Sequence, residues 1–149
     1  QNKIDLEKLK TKLYQLVNEE RSNNDTKLLG LDVYLKKAAD EHAKYIAKSQ
    51  KLSHEQTDAK KQSPKERVSF YGGNSFVLVG ENLLFTGIKD QVYSETDLDT
   101  LALKMFNLWK KSPNHLKNIL DHQYFYTEIG FSVDWENKKI YAVQMFGAK

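Results

Sequence analysis

Apolar residues at Ile4, Leu6, Leu9, Leu13, Leu16 and Val17 recur at helical spacing and predict a first helix over about residues 3–21. Ser22-Asn23-Asn24-Asp25 reads as a turn. Asp32 is placed to cap a second helix with an inner face of Leu35, Ala38, Ala39, Ala43 and Ile46, ending near Ser49. Its alanines predict close approach to a neighbouring element. Ser63-Pro64-Lys65-Glu66 combines a capping serine, a proline at the first helical position and a glutamate three residues on, so a short third helix starts there and stops at Gly72-Gly73. Ser75 to Val79 reads as a strand running into Gly80-Glu81-Asn82. Gly87 to Thr96 is polar and loop-like, after which Asp97 caps a helix with Leu98, Leu101, Met105, Leu108 and Trp109 on one face.

A Ser112-Pro113 break and a short helical turn through Leu120 follow, and then the period changes. Ile129, Phe131 and Val133 alternate, Trp135-Glu136-Asn137-Lys138 is a turn, and Ile140 to Phe146 is a second apolar run, which together predict a β-hairpin. Helices first and a hairpin last imply an α+β domain with an antiparallel sheet covered by helices. No repeat or low-complexity linker divides the 149 residues, so they form one domain, residues 1–149, large enough for a real core.

Composition narrows the function. The formal charge is +3, but lysines alternate with aspartate and glutamate throughout, which describes a solvated surface and not a nucleic-acid footprint. Arginine occurs only as Arg21 and Arg67. The absence of cysteine excludes disulfides, thiol catalysis and thiolate metal sites from this chain. No apolar run approaches the length of a membrane span. Gln1 is not a native start, so a secretory leader or a lipid-anchoring cysteine upstream stays open.

Chemistry-bearing residues gather on element ends. Leu52-Ser53-His54-Glu55, Gly80-Glu81-Asn82 and Trp109 to Leu120 supply two imidazoles and a carboxylate. Glu81 has apolar flanks on both sides, and a partly buried carboxylate needs a partner such as an imidazole or a metal. His115 falls in the first turn of a short helix, where backbone N–H groups favour the neutral, metal-binding imidazole. Read on their own, His54 is equally a surface or capping histidine, Glu55 a solvated acid, and Asn82 a turn-fixing residue. His42 reads as a helix-face residue, His122 as a loop residue, and Arg67 as an ion-pair partner for an acid. Trp109, Phe106, Tyr124 and Phe125 read as core or cleft wall.

Leu52-Ser53-His54, Gly80-Glu81-Asn82, Trp109-x-x-Ser112-Pro113-x-His115-x-x-Asn118-Ile119-Leu120, Ile129-Gly130-Phe131 and the opening Val17-Asn18-x-x-Arg21 occur in one order across nearly the whole chain. In that order they resemble the CAP superfamily of cysteine-rich secretory, antigen-5 and pathogenesis-related proteins, and its cysteine-free bacterial branch in particular. The resemblance implies a three-layer α-β-α sandwich, an exported or surface-displayed protein, and a cleft formed by His54, Glu81 and His115 with Glu55 and Ser112 beside them. It also implies a divalent metal, often zinc, held by His54, His115 and Glu81. Ser112 stands where many members carry a second glutamate, which leaves that ligand set incomplete. The lysine-rich composition suits a spirochaete outer-surface lipoprotein.

Three functions follow as expectations. The first is a non-enzymatic extracellular binding module with a protein or lipid ligand, host-derived or from the cell envelope. The second is a metal-dependent hydrolase, since two histidines, a carboxylate and an open position make up many catalytic zinc sites. The third is lipid or sterol carriage, which the apolar residues of the 85–96 loop would serve.

Overall fold

The computed structural model describes residues 2–149. Its elements are α1 (Leu6–Asn23), α2 (Val33–Ser49), α3 (Pro64–Phe70), β1 (Leu78–Gly87), α4 (Glu95–Lys110), α5 (Pro113–Ile119), β2 (Tyr126–Asp134) and β3 (Lys139–Ala148). The three strands form an antiparallel sheet in the order β1-β3-β2, so the last strand lies in the middle and β1 is an edge.

Alternation along β3 divides the core into two layers. Ile140, Ala142 and Phe146 pack with α1 and α4 on one face of the sheet. Tyr141, Val143 and Met145 pack with α2 and Val68 of α3 on the other. This is the expected three-layer α-β-α sandwich. β3 is buried on both faces along nearly its whole length, which is why its sequence from Ile140 to Phe146 is apolar apart from Gln144.

Local capping chemistry sets the helix starts. The Asp32 carboxylate accepts from the backbone N–H of Tyr34 and Leu35, and Ser63 with Glu66 closes a reciprocal capping box around Pro64. The fourth helix begins earlier than expected. Ser94, not Asp97, is its N-cap, and Asp97 is the third-position partner that bonds back to the Ser94 N–H. The strand expected at 75–79 is also displaced. Phe76 packs against Gly147 as a lead-in, and β1 carries Gly80-Glu81-Asn82 within its length instead of after its end.

Two packing contacts position the layers. A Cβ at Gly130 would lie 2.5 Å from the backbone of Ala39 and Asp40, so only glycine lets α2 sit down on β2. Arg21 is buried and donates to the carbonyls of Lys27, Ile119 and Asp121, at 2.7–2.9 Å, with Tyr124 farther at 3.4 Å. It ties the end of α1 to the segment leaving α5, and so fixes where α5 and its histidine lie.

Candidate functional site

The site straddles the free edge of β1. An edge strand presents unpaired carbonyls that need donors. Two residues of the Trp-to-Leu motif supply them: the indole N–H of Trp109 donates to the Leu83 carbonyl at 3.2 Å, and Asn118 Nδ2 donates to the Glu81 carbonyl at 3.4 Å and to Asn82 Oδ1 at 2.9 Å. Asn82 in turn donates to the His115 carbonyl at 3.1 Å. The conspicuous tryptophan and asparagine thus close the sheet edge, and His115 rides on the short helix between them. Asn82 acts through α5 and not through a turn.

From the opposite layer comes a buried polar network built on Glu81. One carboxylate oxygen accepts from Arg67 Nη2 at 2.8 Å, with both side chains sealed from solvent. The other accepts from His54 Nδ1 at 2.8 Å. A carboxylate can only accept, so His54 carries its proton on Nδ1 and leaves Nε2 for a ligand. Arg67 also donates to the carbonyls of Lys61 and Gln62, holding the loop before α3.

His42 lies on a helix face, as expected, but on the inward face of α2, where it is fully buried. Its Nδ1 lies 2.8 Å from Gln56 Nε2, whose amide also donates to Glu41. Its Nε2 lies 2.7 Å from the Ser53 carbonyl and 3.8 Å from Glu81. An amide nitrogen must donate and a carbonyl must accept, so His42 is the neutral Nε2–H tautomer. Burial lowers its pKa, with the Arg67 charge adding to that and Glu81 opposing it. Its task is to fix the backbone immediately before His54.

His115 has a lowered pKa too, first through burial and then through the nearby His54 imidazole. The direction agrees with the helix-terminus expectation, but the cause is different. Its Nδ1 is buried without a hydrogen-bond partner. The other site candidates stay apart from this pair. Glu55 is exposed, and its backbone bonds to the Ser53 hydroxyl. Ser112 is the α5 N-cap residue but makes no side-chain cap bond.

These contacts decide how a metal would fit. Among the described residues, no three His, Asp or Glu side chains gather in an arrangement that could hold a metal ion. Glu81, the expected third ligand, has both oxygens committed to Arg67 and His54. What remains is two imidazoles, one of them oriented by a carboxylate through its far nitrogen, as metal-bound histidines commonly are.

An α-β-α sandwich whose strand edge carries a histidine from each outer layer defines the class. Residues 14–146 match the CAP, Cysteine-rich secretory protein, family, and the chain belongs to it. No curated protein matches. The chain is similar in structure to an outer surface protein from Borrelia burgdorferi, at 23% identity and a TM-score of 0.79, covering 98% of this chain and 96% of that one. It is also similar to an extracellular protein containing a SCP domain from Bacillus anthracis, at 22% identity and a TM-score of 0.72, covering 95% of this chain and 40% of the other. A cysteine-rich secretory protein from Staphylococcus aureus aligns at 18% identity with a TM-score of 0.55, covering 95% and 38%.

Proposed function

We propose that this chain is a non-enzymatic binding domain, secreted or displayed on the cell surface, whose recognition surface is the cleft between His54 and His115 and the loops beside it. The observation that carries this reading is the double engagement of Glu81. A general base or catalytic ligand must face substrate, and the Glu81 carboxylate is buried, with each oxygen already held by a donor. Glu81 instead neutralises a buried arginine and orients an imidazole. Among the described residues, Ser53 Oγ bonds to the Glu55 backbone and not to an imidazole, so a serine nucleophile lacks its base. A divalent ion would be held by His54 and His115, with Glu81 one step behind. The ligand is a protein or lipid from outside the cell, in keeping with the surface and extracellular descriptions of the similar proteins. Among the described residues no helix is long and apolar enough to cross a membrane.

The test is hydrolysis of a panel of peptide, ester and phosphoester substrates by the zinc-loaded domain. The expected result is no turnover above that of His54→Ala and His115→Ala. Turnover that disappears in both variants would replace this reading with that of a metal-dependent hydrolase.

A further inference from the structure

We propose a second binding site, separate from the histidine cleft, for an acidic polysaccharide along the outer side of α3. An open groove of about 720 Å³ lies there, lined by Lys60, Lys65, Ser69 and Phe70 among others. Lys61 adds a third ammonium, poised over the Phe70 ring at 4.5 Å and the Tyr71 ring at 5.6 Å. Among the described residues none of these three lysines has a carboxylate within ion-pair distance, so their charge is free to meet a ligand. Two exposed acids lie nearby, Glu66 on the groove wall and Asp58 beside it, and each has a carboxylate oxygen engaged by a backbone N–H. Glu66 closes the capping box on the Ser63 N–H, and Asp58 accepts from the Lys60 backbone N–H.

Unpaired flexible ammoniums along a groove attract a polyanion, and their strong hydration suits diffuse sulfate or carboxylate charge. Phe70 is 48% exposed, too much for a core residue, and offers an apolar ring beside those charges. A sugar chain presents both features at once: acidic substituents for the lysines and an apolar ring face for the phenylalanine. The Ser69 hydroxyl adds a donor and acceptor for ring hydroxyls. Nucleic acid would share the charge but asks for several stacking platforms, and this groove has one aromatic on its wall.

Calorimetry with a heparin hexasaccharide tests the site, at low and at physiological salt. The wild-type domain should bind, more weakly as salt rises. Lys60→Ala/Lys65→Ala should lower affinity about tenfold, and Phe70→Ala should lower it measurably without changing the salt dependence. Lys8→Ala/Lys12→Ala, which removes ion-paired lysines elsewhere, and His54→Ala should both leave binding unchanged. The His54 control separates this site from the cleft. The proposal is overturned if the wild type does not bind, or if the Lys8/Lys12 control loses as much affinity as the groove variant. It is also overturned if Phe70→Ala binds normally, or if single-stranded DNA or phosphatidylserine vesicles bind as tightly as the saccharide.

Discussion

Replacing Arg67 by methionine removes the cation that neutralises Glu81. Both side chains are essentially inaccessible, and they meet at 2.8 Å. The substitution leaves a carboxylate buried with only the His54 N–H to satisfy it. It also strips the Lys61 and Gln62 carbonyls of their donor. Breaking a buried ion pair by deleting one partner costs about 3–5 kcal/mol. Against a total domain stability of about 5–15 kcal/mol, that is about a fifth of the whole or more. Glu81→Leu should be as costly, because it strands the guanidinium. The double variant Arg67→Met/Glu81→Leu should recover much of the loss, since replacing both charges by apolar groups is often close to neutral. Urea unfolding followed by far-ultraviolet circular dichroism at neutral pH measures all three, and the double-mutant cycle isolates the pair. A loss below about 1 kcal/mol in either single variant would refute the reasoning, as would a double variant whose loss is the sum of the singles.

Three further outcomes are expected. His42 and His115 both have folded-state pKa values below the ordinary 6.5, so the unfolded chain binds more protons as pH falls below that value, and stability present above about pH 6.5 is lost on acidification. Urea midpoints taken between about pH 7.5 and 5.5 should fall, and His42→Gln should flatten the slope; a midpoint that rises over that range contradicts this. Gly130→Ala drives a methyl group into the α2 backbone, which cannot step aside as a side chain could, and should lower stability by about 1–3 kcal/mol or more; an unchanged Tm would show that α2 is not seated as described. Trp109→Phe keeps an aromatic ring but leaves a small void and the buried Leu83 carbonyl without its donor, costing about 1–3 kcal/mol or more in the same assay, and a neutral result would mean the sheet edge is satisfied in some other way.

What could be read from the sequence is what depends on neighbours in the chain. Asp32 and the Ser63-Pro64-Lys65-Glu66 box carry their own hydrogen-bond partners within a few residues, and both start helices where local chemistry says they should. The hairpin was legible from alternation and its four-residue turn. β1 was not, because both its faces are buried there and carry a polar residue each, Glu81 on one and Asn82 on the other. Those residues interrupt the apolar pattern, and their partners come from α3, α5 and the loop after α2, far away in the chain. The burial of His42 was missed for the same reason, although a signal existed. His42 falls on the stripe of Leu35, Ala38, Ala39, Ala43 and Ile46, and a polar residue on an inward stripe implies a buried partner. Arg67 was legible as an ion-pair partner, but nothing local to it named Glu81 as the acid.

Glu81 orients His54 without touching a ligand itself, and ring-nitrogen NMR of histidine-labelled protein tests that role most directly. With zinc added at neutral pH, the His54 and His115 ring signals should shift together while those of buried His42 stay in place. In Glu81→Gln, shown to be folded by circular dichroism, the same two histidines should still respond, with affinity reduced about 10–100-fold by the lost outer-shell partner. Zinc shifts that vanish entirely in folded Glu81→Gln, or that appear at His42, would contradict the account and make the carboxylate or the buried imidazole a direct ligand.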